Sequence, residues 1–240
     1  MRKNKNALFK FIIIISIIGI MYSGYNLFKW KTGVDKSKGL KAESKEAITV
    51  NNDGTYNIDY DKLLKLNKNA IGYLNVPETN IDYVVVKGSD NKFYLRHDFS
   101  DEENRTGWIF VDYRNSLDGT DKNIIIYGHN TKDGSMFGSL YKTLNKDWQV
   151  KNGNVEIVFV TRSGQYKYRI FSSYMIEAED YYITTGFNND NDYISFLNKL
   201  KSRSNYNYGI DVSKDDTILT LSTCSNSGKE RVVLHAKKID

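Results

Sequence analysis

The stretch "DDTILTLSTCSNSGKERVVLHAKK", residues 215–238, decides how the fold is read. Its first part, "TILTLSTC" (217–224), is apolar and β-branched, and "RVVLHAKK" (231–238) is a second run of the same kind. "SNSGKE" between them has the composition of a turn, so the pattern predicts a β-hairpin with its loop near residues 225–230. Cys224, the only cysteine in 240 residues, ends the first strand, and Arg231 opens the second. The two would then face each other across the hairpin mouth. A guanidinium there favours thiolate over thiol, and it can equally donate hydrogen bonds to an oxyanion forming on a substrate carbonyl. The other reading is a buried cysteine beside a surface arginine, because a free cysteine packs as a small core residue.

A cysteine nucleophile needs a base or an ion-pair partner, and the chain has three histidines. His129 ends the apolar run "NIIIYGH" (123–129), where a strand gives way to a loop, and is the best candidate. Strand alternation puts His235 about 13 Å beyond Arg231, a poor partner if Arg231 faces the thiol. His97, in "YLRHDF" beside Asp98, reads as a solvated or capping residue. Histidine and cysteine do not pair at metal-ligand spacing, so neither a metal nor a cofactor is expected. "GSMFG" (134–138) lacks the Gly-Lys-Ser/Thr of a phosphate-binding loop.

Working outward, six more runs read as strands: 71–76, 81–86, 106–112, 154–160, 165–176 and the "NIIIYGH" run itself. With the hairpin they make eight, bounded by Asn, Asp and Gly, which predicts an all-β barrel or sandwich with added helices. Helical inserts are expected at 135–145 and at 190–203, where Tyr193, Phe196, Leu197 and Leu200 follow helical spacing. Tyr60, Leu63 and Leu64 make a shorter stripe. "NNDND" (188–192) reads as a helix N-cap rather than a calcium loop.

The first 50 residues differ from the rest. Phe11–Phe28 is 18 residues without a charge, preceded by Arg2, Lys3, Lys5 and Lys10. That length reaches the threshold for a membrane span, and the missing small-residue cleavage site favours an uncleaved signal-anchor. Residues 1–28 therefore read as the basic start plus a single membrane anchor, 29–50 as a Lys-rich polar tether, and 51–240 as the folded domain, outside the cell membrane. The net charge of +5 misleads: ten of the 34 basic and three of the 29 acidic residues lie in 1–50, a balance of +7, leaving −2 for the remainder. The folded part has no basic surplus for a phosphate backbone, so nucleic acid is not an expected partner.

"TLSTC" (220–224) with Arg231 opening the next strand, together with "IIIYGHN" (124–130), resembles the sortases, cysteine transpeptidases of Gram-positive cell surfaces. "NIDYVVVKGSDNKFYL" (80–95), "GWIFVDYRN" (107–115), "KDGSMFGSL" (132–140) and the helix before the last strand pair resemble class B in particular. The resemblance implies an eight-stranded β-barrel with an N-terminal helical extension. It implies Cys224 as nucleophile, His129 as its proton partner and Arg231 as the group that holds substrate and oxyanion. Asn91, Leu95, Tyr127, Tyr182, Ile183, Ser222 and Thr223 would lie near the substrate groove. The implied reaction cleaves a C-terminal sorting signal of a surface protein after Thr and passes the acyl group to a peptidoglycan-precursor amine. Ser225 and Asn226 stand where several relatives carry acidic residues, which puts an acidic third member in doubt. A surface cysteine hydrolase with water as acceptor, or a non-catalytic membrane-tethered binding module using the 18 tyrosines, are the rival readings.

Overall fold

Strands that alternate apolar and polar residues must bury one face, and here eight of them do so by closing on one another. The computed structural model describes residues 2–224 and 229–239. Helix α1 (Arg2–Lys45) is followed by a small hairpin, β1 (Ile48–Val50) and β2 (Tyr56–Ile58), and by α2 (Tyr60–Leu66). Then come β3 (Ala70–Asn75), β4 (Asp82–Val86), the two-residue β5 (Phe110–Val111) and β6 (Asn123–His129). Helix α3 (Lys146–Asn152) precedes β7 (Glu156–Thr161) and the long β8 (Gly164–Glu177). Helix α4 (Asp190–Ser202) precedes the final pair, β9 (Ile218–Cys224) and β10 (Glu230–Lys238).

The barrel closes in the order β10-β8-β7-β3-β4-β5-β6-β9. The β4–β5 and β6–β9 pairs are parallel and the other barrel pairs antiparallel. Leu74, Val85, Phe159, Ile170, Leu221 and Leu234 belong to the main core. The residues that alternate with them supply a second cluster, where Phe171, Tyr174 and Val233 meet Tyr193, Phe196, Leu197 and Leu200 of α4. Those four α4 residues are the stripe predicted from spacing, and the Asn189 side chain caps the helix by accepting from the Asp192 amide at 2.9 Å.

Two elements differ from expectation. The run at 106–112 narrows to Phe110–Val111, because Gly107 turns the chain at φ +58° and the Asn104 side chain takes up the Thr106 amide. The segment at 135–145 forms a 3₁₀ helix over Gly138–Leu144 rather than an α-helix, and helical geometry resumes in α3 after the Asn145 cap.

The stretch read as a tether is helical through Lys45 and lies against the barrel. Asn104 donates to the Gly33 carbonyl at 3.0 Å, and a Cβ on Gly33 would come within 2.7 Å of Asn104 Oδ1. Ser37 and Thr106 share a 2.7 Å hydrogen bond, and Lys36 pairs with the buried Asp98 at 2.8 Å. Lys41 Nζ lies 4.0 Å from the Tyr83 ring centroid, and Lys45 pairs with Asp82. Composition hid this docking because the lysines that made the stretch look solvated are the groups that bind it. Burial would raise the Asp98 pKa, but hydrogen bonds from Lys36, Ser100 and Asn104 hold it below the usual carboxylate value.

Candidate active site

Because β6 and β9 run parallel, their C-terminal ends reach the same rim of the barrel. Their register runs Asn123↔Ile218 through to His129↔Cys224, so the two terminal residues are direct backbone neighbours. On the other side of β9, β10 pairs as Val233↔Ser222, and the Val232 amide donates to Thr223 Oγ1 at 2.9 Å. Carried two residues beyond Val233↔Ser222, the same register would bring the Arg231 backbone level with Cys224. The hairpin and the "NIIIYGH" run thus bring the three predicted residues to neighbouring strand ends. Ser225 and Asn226 lie outside the described residues.

His129 is half-buried, and its Nε2 lies 2.6 Å from the Leu95 carbonyl oxygen. A carbonyl only accepts, so Nε2 is the donor, and in the neutral ring Nδ1 is left as the acceptor. Gly107 packs against the same ring. A Cβ there would come within 2.9 Å of His129 Cδ2 and 2.4 Å of the Tyr94 carbonyl, and its φ of +58° is strained for any other residue. Leu95, expected beside substrate, contributes its carbonyl to orienting the imidazole.

A cavity of about 310 Å³ opens along this rim, lined in part by Asn91, Tyr127, Tyr182, Ile183, Ser222 and Arg231. These are six of the predicted site residues. Ser222 Oγ and Tyr182 Oη are 3.1 Å apart. Thr223 is buried and its hydroxyl clasps β10 to β9, a role in holding the rim together.

The other two histidines sit apart from this rim. His97 stacks on Phe93 with ring centroids 3.9 Å apart, and its Nδ1 is 2.8 Å from the Phe93 carbonyl. His235 is wholly buried between the hydroxyls of Tyr174 and Thr220, each 2.9 Å from one ring nitrogen. Burial, with the Arg203 charge as a lesser cause, pushes its pKa down to about 3, so it stays neutral.

The sequence model of the sortase domain matches residues 74–239. Sortase B of Listeria monocytogenes is 36% identical over 99% of both chains. Among solved structures, sortase B from Bacillus anthracis in complex with AAEK1 superposes with a TM-score of 0.77 at 32% identity, covering 87% of this chain and 99% of that one. A sortase B complexed with triglycine gives a TM-score of 0.71 at 37% identity, covering 75% and 85%.

The chain belongs to the sortase family, in its class B. It is a cysteine transpeptidase that anchors surface proteins, and its closed eight-stranded barrel is the sortase B fold.

The groove of this sortase rests on two residues that motif reading passed over. Asp112 is fully buried and accepts from Arg114 Nε at 2.9 Å and a terminal guanidinium nitrogen at 2.7 Å, from Tyr127 Oη at 2.8 Å and from Asn91 Nδ2 at 2.9 Å. Arg114 continues to the Ile183 carbonyl at 2.9 Å. One carboxylate and one guanidinium therefore hold three groove residues, Asn91, Tyr127 and Ile183. Burial would raise the Asp112 pKa; the hydrogen bonds from Arg114 and Tyr127 outweigh it and keep the carboxyl below its ordinary range. The signal was an Asp-x-Arg directly after an apolar strand, in "GWIFVDYRN", but nothing local says that the pair turns inward. Glu179, ion-paired with Arg203, and Asp180 also line the cavity.

Proposed function

We propose that Cys224 is the nucleophile, His129 its proton partner and Arg231 the group that holds substrate and oxyanion. The observation that carries this reading is the β6–β9 register, which sets His129 beside Cys224. The thiolate attacks the carbonyl of a Thr in a C-terminal sorting signal. Charge develops on the carbonyl oxygen, where guanidinium donors stabilise it. As the C–N bond breaks, the imidazolium gives its proton to the leaving amine, and a thioacyl-enzyme remains. An incoming amine, proposed to come from a peptidoglycan precursor, loses a proton to the imidazole, attacks the thioester and releases the thiolate. The triglycine complex of a relative supports an acceptor that presents a primary amine. The energy of the scissile amide is kept in the thioester, so no cofactor is required.

The apolar part of α1 is proposed as a single-pass membrane anchor with the barrel outside the cell. One helix in the described residues is long and apolar enough to cross a membrane, and the apolar residues of its uncharged run, among them Phe11, Ile14, Ile20 and Leu27, are exposed.

Incubation with a sorting-signal peptide and an added amine is expected to yield ligated product, and Cys224→Ala to abolish it. Ligation that survives in the alanine variant removes the assignment. Hydrolysis that dominates even at saturating amine points instead to the hydrolase reading.

A further inference from the structure

The barrel meets α1 inside the last turn of its apolar run. Arg105 donates to Asn26 Oδ1 at 3.3 Å, and Asn26 precedes Phe28, the end of the uncharged stretch. Lys29 lies three residues on, on the same helix face. A cleft of about 260 Å³ at this junction is lined by Lys29, Thr32, Lys36, Glu103 and Arg105, among others. Lys36 is committed to Asp98 and Glu102 at 2.8 and 2.7 Å. Trp30, 40% exposed, sits one residue beyond Lys29, where an indole belongs at a bilayer interface.

We propose that this edge of the barrel is seated on the lipid headgroups, with Arg105 and Lys29 binding lipid phosphate. The proposal rests on the membrane-anchor reading of α1 and goes beyond it, because an anchor alone leaves the domain free to swing. Here α1 is continuous from the apolar run to Lys45, and the Gly33, Ser37, Lys41 and Lys45 contacts fix the barrel along it. If Phe28 marks the edge of the hydrocarbon, Asn26 lies about 3 Å on its apolar side and Lys29 just beyond it, so the Arg105 guanidinium that reaches Asn26 sits at the boundary with the headgroups. Guanidinium and ammonium groups at that depth meet phosphate oxygens. The loop that carries Arg105 begins just after Leu95, whose carbonyl holds His129, so the seated edge and the catalytic imidazole share one short segment.

The test uses the full chain carrying Cys224→Ala, so that one introduced cysteine takes a fluorophore, reconstituted in phosphatidylcholine–phosphatidylglycerol vesicles that contain a headgroup nitroxide lipid. Glu103→Cys reports on the seated edge. Lys151→Cys reports on the far end: it lies on α3, whose Trp148 donates to the Glu78 carbonyl near the Lys45 end of the stalk, about 28 Å along the helix from Asn26. Quenching several-fold stronger at 103 than at 151 is expected, falling several-fold when Lys29→Glu and Arg105→Glu are combined. Equal quenching at the two sites in protein that floats with the vesicles after alkaline carbonate overturns the seat while leaving the anchor intact. Quenching at 103 that ignores the double charge reversal overturns the phosphate grip. Protein that does not float after carbonate overturns the seat by removing the anchor beneath it.

Discussion

His129 and His235 lie at opposite ends of a range. The first is half-buried at the rim, with one ring nitrogen tied to a backbone carbonyl and the ring braced by Gly107. The second is sealed between strands β8, β9 and β10, with both nitrogens matched to hydroxyls. An imidazole can exchange protons only where its charged form is tolerated, and burial of His235 penalises that form heavily. The comparison teaches that the imidazole's surroundings, not its place in an apolar strand, decide whether it can take part in proton transfer, which is the role proposed for His129.

The sharpest way to break this contrast is to remove each ring. His129→Ala should lower kcat by about 10³-fold while leaving the melting temperature nearly unchanged. A thermal scan beside a ligation assay checks both halves. His235→Ala should do the reverse, costing about 3 kcal/mol through a cavity and the loss of two buried hydrogen bonds, with per-molecule activity retained where the protein is folded. If His235→Ala instead abolished turnover in folded protein, the division of roles would be wrong.

Asp112 tests whether the rim depends on a buried carboxylate in the way the interior depends on His235. Asp112→Asn should cost about 2 kcal/mol and raise KM several-fold, since Tyr127 and Arg114 lose an ionic acceptor. Acid titration of stability separates the two sites. His235 has a folded-state pKa of about 3 against an ordinary 6.5, so the unfolded chain takes up its proton first. Its contribution is complete above about pH 6.5 and is lost as pH falls from there towards 3. The Asp112 carboxyl is depressed, so its contribution is present above the ordinary 3.8 and disappears only as pH falls through the lower folded value. Denaturant melts between pH 7 and 4 should therefore show a slope that the His235 variant loses and the Asp112 variant keeps.

The smallest expected effect lies on the stalk. Asn104→Ala removes donors to the Gly33 carbonyl and Ser37, and should cost about 1 kcal/mol. A roughly twofold fall in kcat should accompany it, because the loop that presents the Leu95 carbonyl to His129 is held less firmly. Unchanged kcat would separate the stalk from the imidazole.

Much of this molecule was legible in the chain. Eight alternating runs announced a β-barrel, the Tyr193–Leu200 stripe announced α4, and a lone thiol followed by an arginine opening the next strand suggested the nucleophile proposed above. Such features are local: a period, a cap or a turn is written in neighbouring residues. Pairings across the barrel are not. That β6 lies parallel to β9, that Asp112 faces Tyr127 and Asn91, and that a lysine-rich stretch docks as helix all depend on which surfaces meet after collapse. Asp112 and Arg114 are two residues apart, but the groove residues they hold come from three separate segments. Closure of the barrel, not sequence spacing, selects the partner of each buried charge, because only a desolvated group must find one.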